Sequence, residues 1–522
     1  MTHEPMSRSS SSFFRRDAAG DEERAALTPP PPPPLDDKGG APAGRRRWPS
    51  SVMRMKGVGS VMVGVVFLEL LIVVHRWVGL DASFLRDSSM VSTSTRQWHP
   101  HHHHNISTPP LMTLPPFSCG NGTAAPATCP ATPPSPPTTS KPAAVGEPAA
   151  SCPDYFRYIH DDLRPWRGAG ITREAVERGR RHAYFRLVVV SGRAYVETYR
   201  RSYQTRDAFT QWGVAQLLRR YAGRVPDVDI MFACDDRGQV RAADFAAAPA
   251  DAPPVFRYCR DATTLDVVFP DWSFWGWPEV NIGAWPATLE AVRRESARVR
   301  WPEREPFAFW KGNPGVARIR GELMKCNPAS DGRDWNARLF SQIYIEGEAW
   351  SVSEKYIMAC DSPVLFVTTP FQDILSRGLV AGEHYWPINR TRMCESIRAA
   401  VDWGNAHPAA ARRIGEQGSR FVREQMAMDY VYDYMFHLIT EYGKLLRYRP
   451  AVPANAVEIC AESMACAAAA GRERECMDES VEGFVAGFDP CSLPPPFTEE
   501  EKRDIAAREE EVLRKVANSR KF

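Results

Sequence analysis

The stretch "VDIMFACDDRGQV", residues 228–240, is an apolar run that stops on two carboxylates, Asp235 and Asp236. A short apolar run bounded by turn residues reads as a buried strand. Upstream, "YFRLVVVSGRAYVETY" (184–199) reads as two strands joined at Ser191-Gly192. Between them, "DAFTQWGVAQLLRRYAG" (207–223) carries Phe209, Trp212, Leu217, Leu218 and Tyr221 at roughly helical spacing and ends on a glycine. Strand, helix, strand over this length predicts a βαβ unit and a parallel sheet. Ligands of such sheets gather at the carboxyl ends of the strands, where Asp235 and Asp236 stand. The pair could hold a metal, act as a base or solvate the strand end. Successive strand residues point to opposite faces, so neighbours do not easily clasp one ion. Ala233 also removes the D-x-D pattern at this strand end.

A second α/β region is expected over 300–445. "PFAFW" (306–310) is strand-like, "KGNPGVA" turns, and "RIRGELMKC" (318–326) begins a helix. "GEAWSVSEKYIMAC" (347–360) reads as a further helix and "PVLFVT" (363–368) as a strand, followed by long amphipathic helices that need another surface to cover. Two α/β domains facing a cleft follow. The loop at Lys311 and Gly312 has the form of an anion site, because a glycine-containing strand-to-helix turn lets backbone N–H groups approach a phosphate. Arg318 and Arg320 lie in the first helical turn, where a positive charge is unfavourable unless an anion is present. An ordinary turn with solvated arginines has the same sequence. "FPDWSFWGWPEVNI" (269–282) crowds Trp272, Phe274, Trp275 and Trp277 beside Asp271. Such density suits stacking on a sugar or polypeptide, and equally a buried aromatic corner, which the segment alone favours.

The 522 residues carry a formal net charge of +2, which argues against nucleic-acid binding as the main function, and 43% apolar residues, ample for real cores. Residues 1–56 read as a disordered cytosolic tail with a proline run and a basic cluster, Arg45 to Lys56. "GVGSVMVGVVFLELLIVV" (57–74) is just long enough to span a bilayer. Its apolar residues contribute roughly −4 to −8 kcal/mol and Glu69 costs about 3, so a signal anchor over 57–76 is expected, with the basic flank cytosolic. Residues 77–150, rich in Pro, Ser and Thr, form a lumenal stem whose "HPHHHH" is read as incidental low complexity. Sequons at Asn105, Asn121 and Asn389 agree with a lumenal address. Cys460, Cys466, Cys476 and Cys491 crowd into the extension 446–522, where a disulfide staple is expected. No C-x-x-C pair points to zinc. No K-D-E-L-type signal ends the chain, so a single-pass type II protein of the Golgi membrane is expected.

In this order, "FPDWSFW", "FWKGN…R", "IYIEGEAWSVSEKYIMACDSPVLF", "EHYWPI" and "GSRFVREQMAMDYVYDYMFHLITEY" resemble the Rumi-type protein O-glucosyltransferases, capsule-associated xylosyltransferases and plant type II membrane proteins of glycosyltransferase family 90. The resemblance covers about residues 150–445. It implies a GT-B-like fold of two Rossmann-like domains, here 151–299 on the acceptor side and 300–445 binding the donor. It also implies a UDP-sugar as co-substrate, with no cofactor and no bound metal. Carried over by residue, it assigns Asp236 as catalytic base, Arg320 to the donor diphosphate, and Ser351 and Lys355 to the donor-site helix. Asp271, Trp272, Phe274 and Trp275 fall in the acceptor-side segment. Such an inverting transferase needs one carboxylate to deprotonate the acceptor hydroxyl and cations to stabilise departing UDP.

Three positions depart from the pattern. Plant relatives usually read D-C-D-D where this chain has Ala233-Cys234-Asp235-Asp236, and Ser353 stands where animal members carry a second arginine. Between "ARLFSQ" (337–342) and "IYIEG" (343–347), relatives carry a further segment, long enough for a helix and a strand. The expected function is transfer of glucose or xylose from a UDP-sugar to a protein or glycan hydroxyl. The rival from another class is a non-catalytic glycan-binding or scaffold protein derived from the transferase.

Overall fold

The computed structural model describes residues 112–114, 116, 119, 128–131, 150–304, 308–326, 341–468 and 470–518. The anchor expected over 57–76 and the sequons at Asn105 and Asn121 lie outside the described residues. Among the described residues, no helix is long and apolar enough to cross a membrane.

Near the start of the described chain, β1 (Met112–Thr113) lies inside the expected stem. The first sheet is built from β2 (Phe185–Val190), β3 (Arg193–Thr198), β4 (Val228–Phe232), β5 (Val255–Arg257) and β6 (Val267–Val268). The hairpin between β2 and β3 turns at Ser191 and Gly192, whose φ values of 51° and 75° are the left-handed pair that matches strand twist. From β3 the chain passes through α1 (Arg206–Arg220) to β4, as expected, but β4 does not lie beside β3. Both pair antiparallel with β2, which sits between them, while β4, β5 and β6 are parallel. The sheet is therefore mixed, not parallel. All five residues of β4 are buried, including Asp229, whose carboxylate takes a two-pronged grip from Arg186 on β2 at 2.6 and 2.7 Å. That pairing explains how a charge sits inside an apolar run.

The second sheet is wholly parallel: β7 (Ala308–Phe309), β8 (Ser341–Tyr344), β9 (Val364–Val367) and β10 (Trp386–Ile388), in the order β10-β9-β8-β7. On β9, Val364 and Phe366 join the main core while Leu365 and Val367 join a second one with Ile388 and Ile397. Burial on both faces is why this strand reads as a continuous apolar run. The helix expected across 347–360 is shorter: α2 (Arg318–Met324) lies between β7 and β8, and α3 (Ser353–Met358) follows a loop over 345–352. Next come α4 (Met393–Ala406), α5 (Pro408–Gln425) and α6 (Met428–Leu445).

The boundary expected at 445/446 is not a boundary of packing. Helix α6 returns to the first sheet, where Tyr442 donates to the Asp229 carbonyl at 2.8 Å and Tyr434 packs on Phe156. Beyond it, β11 (Val457–Ile459) adds to β3 as an edge strand and β12 (Phe484–Val485) pairs with β1. The tail cysteines pair outside the tail: Cys119–Cys466, Cys129–Cys460 and Cys152–Cys491, with Cys476 free and a fourth bridge Cys326–Cys394. Part of the expected stem is thus stitched to the fold. The last helix, α7 (Glu499–Asn518), pairs Lys502 with Asp161 near one end and packs Val516 on the second core.

Candidate functional site

At the end of β4 the chain bends through buried Ala233 and Cys234 into the two aspartates. Their surroundings differ. Asp235 is anchored: Tyr184 donates to Oδ1 at 2.6 Å, Gln239 to Oδ2 at 2.9 Å, and Arg257 stands 3.6 Å away. Burial, and then the bond to this carboxylate, push the Tyr184 phenol up to about 12. Among the described residues the Asp236 carboxylate has one partner, Arg206 Nη1 on Oδ1 at 2.9 Å. Oδ2 has no partner among the described residues, and the side chain is 32% exposed. The Cys259 thiol bonds the Asp236 carbonyl at 2.9 Å and fixes the backbone. The adjacent Arg237 reaches into the second region, pairing with Glu348 at 2.9 Å. The aspartate edge therefore faces the loop that follows β8.

That loop surrounds Arg320. Arg320 is 9% exposed, and its guanidinium is held by the carbonyls of Glu346 (2.9 Å), Asn313 (3.3 Å) and Ile345 (3.5 Å) and by Ser351 Oγ (3.3 Å). No carboxylate lies at ion-pair distance among the described residues, because Glu346 is committed to Arg390 at 2.6 and 2.7 Å. Burial pulls the Arg320 pKa below the usual arginine value, opposed by Tyr344 and Glu346. A buried cation without a counter-charge is costly. Helix α2 has only seven residues, so the cation itself, more than a helix dipole, makes this place attractive to an anion. Lys311 and Arg318, both exposed, have no ion pair among the described residues. Gly312 leaves no room for a side chain, since a Cβ there would stand 2.7 Å from the Trp310 ring. Ser351 and Ser353 share a hydrogen bond of 2.8 Å beside Arg320.

Lys355 is placed differently from the donor contact that the resemblance implied. It is 3% exposed, and its ammonium donates to Asp271 Oδ1 and Oδ2 at 3.1 and 2.9 Å and to Ser273 Oγ at 2.6 Å. Those bonds use all its donors. Burial works against the charge, but Asp271, together with Tyr356 and Asp373, outweighs it and holds the pKa above the ordinary lysine value. Lys355 and Asp271 therefore pin the second region to the first. Beside them, burial and then Asp373 push the Glu354 carboxyl well above the usual range.

Trp272, Phe274 and Trp275 are buried to within 1% and form the buried aromatic corner that the segment alone favours, with no ring face open for stacking. Trp275 fills the space left by Gly213 on α1, where a Cβ would meet the indole at 2.5 Å, and bonds Tyr432. Trp272 packs edge-on to Tyr258, Trp277 and Trp350. Arg206 was not among the residues expected at the site, although its signal is in the sequence: a cation at the first position of a helix needs an anion, as Arg320 does. The remaining described sequon, Asn389, is exposed and caps a turn by accepting from Thr391 N–H at 2.9 Å and Arg392 N–H at 3.1 Å.

The family described as Glycosyl transferase family 90 matches residues 147–343 and 341–520, two matches that meet where the sequence is shorter than the pattern it resembles. "O-glucosyltransferase rumi homolog" of Anopheles gambiae is 23% identical over 348 residues, covering 60% of this chain and 83% of that protein. "Protein O-glucosyltransferase 1" of Homo sapiens is 23% identical over 351 residues, with 58% and 83% covered. "O-glucosyltransferase rumi" of Drosophila melanogaster is 23% identical over 346 residues, with 59% and 81% covered.

Proposed function

The chain belongs to glycosyltransferase family 90 and is a glycosyltransferase, and from that premise we propose that it transfers glucose or xylose from a UDP-sugar to a hydroxyl of a protein or glycan. The observation that carries this is the Oδ2 of Asp236, without a partner among the described residues, on a strand end that meets the loop around Arg320, a buried cation with no carboxylate partner among them. Asp236 accepts the acceptor's hydroxyl proton on Oδ2. The acceptor oxygen bonds to the sugar's anomeric carbon as the bond from that carbon to the diphosphate oxygen breaks. The electron pair leaves on UDP, whose charge Arg320 and Lys311 stabilise. Attack from the face opposite UDP inverts the anomeric centre, and these cations take the charge a metal would otherwise carry. Parallel strands in both regions support a GT-B-like arrangement with the donor on the second.

Four disulfides favour an oxidising compartment, which supports a lumenal catalytic part; the type II Golgi anchor rests on residues 57–76 and their basic flank. The split family match favours a second reading, a non-catalytic glycan-binding protein. Incubating the purified protein with a panel of UDP-sugars and measuring UDP release tests the proposal. No release with any donor, together with retained glycan binding, selects the second reading.

A further inference from the structure

We infer that Arg206 is the positioning residue for the Asp236 carboxylate, and that the buried aromatic segment around Trp272 acts on the reaction through it. The inference rests on the reading of Asp236 as the base. Arg206 opens α1, the end of a helix at which positive charge is least favourable. Its position is nevertheless fixed from every side. Thr205, just before it, is held by Glu279 at 2.7 and 3.1 Å, and the Arg206 carbonyl accepts from Thr210 at 2.7 Å and Tyr258 at 3.2 Å.

The side chain lies with its guanidinium 4.6 Å from the Trp272 ring, 11% exposed, and Nη1 bonds both Asp236 Oδ1 (2.9 Å) and the Cys234 carbonyl (3.1 Å). Nε is buried with no partner among the described residues, so the group is not placed there to satisfy its own hydrogen bonds. A single donor atom thus joins the carboxylate to the backbone of its own strand end. Rotation of Asp236 is blocked on the Oδ1 side, and Oδ2 is left as the only oxygen open to an acceptor. Trp272 supplies the surface against which the guanidinium rests. This gives a use to an aromatic cluster too deeply buried to touch a sugar.

A purely structural Arg206 would affect folding and leave turnover per folded molecule unchanged. A positioning role predicts a split between kcat and KM. The test uses the full chain in detergent, with UDP-glucose and UDP-xylose as donors, water as acceptor and UDP release as readout, for Arg206→Ala, Arg206→Lys and Asp236→Asn. Arg206→Ala should lower kcat roughly a hundredfold, the usual loss when a reacting group is misplaced by about 1 Å. KM for the donor should stay within about twofold, since the donor cations are untouched. Millimolar guanidinium should recover part of kcat in Arg206→Ala and none in Asp236→Asn. Arg206→Lys, which keeps a charge near Trp272 but loses the rigid planar guanidinium that places its donor, should fall between and carries the test if the alanine variant does not fold. Parental kcat in the Arg206 variants beside an inactive Asp236→Asn would overturn the inference and leave the base in place. Parental kcat in Asp236→Asn, or no UDP release by the parent, would overturn the base and the inference together.

Discussion

Replacing Lys355 by methionine separates two roles for this residue. As a donor-site cation it would be dispensable for folding; as the structure has it, it is half of a buried ion pair joining two regions. The pair is 3% and 7% exposed at its side chains, and Asp271 would be left with only the Ser273 backbone and hydroxyl to stabilise its charge. Removing one partner of a buried pair costs about 3–5 kcal/mol, because the remaining charge is uncompensated. Contact of the ammonium with Phe274 at 4.6 Å is lost as well. Urea unfolding followed by tryptophan fluorescence measures the loss, since Trp272, Trp275, Trp285 and Trp350 are buried in the same core. Adding Asp271→Asn should recover stability, with a coupling of about 1–3 kcal/mol in the double-mutant cycle. UDP affinity of the folded fraction should change little. Parental urea stability combined with a tenfold loss of UDP affinity would refute the pairing and return Lys355 to the donor site.

Arg320→Ala should weaken UDP binding by roughly ten- to a hundredfold, the value of a charge-assisted contact of about 1.5–3 kcal/mol, measured by calorimetry. Glu354 gives a pH prediction: its folded pKa is raised, first by burial, so its favourable contribution is complete below the unfolded value of about 4.3 and is lost as pH rises through the folded value. Glu354→Gln should therefore gain stability relative to the parent as pH is raised from 5 to 8 in urea titrations. Breaking Cys152–Cys491 with serines should cost about 2–5 kcal/mol, because the bridge restrains the unfolded chain, and non-reducing thermal unfolding should show it.

Local features were legible in the sequence where a residue's neighbours in the chain determine its structure. The Ser191-Gly192 turn, the strand 228–232 and the placement of Asp236 at its end follow from turn chemistry and an apolar run. Partners distant in the chain were not legible. Nothing near Lys355 announces Asp271, 84 residues earlier, and nothing in the tail announces that Cys466 bonds Cys119. The insertion of β2 between β3 and β4 depends on which edge each strand finds, a choice that hydrophobic pattern does not encode. Aromatic density at 272–277 is the same whether the rings line a cleft or fill a core, and burial decided for the core. Arg206 was within reach, because a cation at a helix start asks for an anion wherever it occurs.

The central claim is a transferase whose base is Asp236, and the most direct measurement is UDP release and sugar transfer by the parent and by Asp236→Asn with the same UDP-sugar. The parent should turn over the donor. The variant should bind UDP as tightly while losing at least about a hundredfold in rate, the lower end of general-base contributions. EDTA should leave the parent's rate unchanged. Full activity in Asp236→Asn, or activity abolished by EDTA and restored by manganese, would contradict the claim.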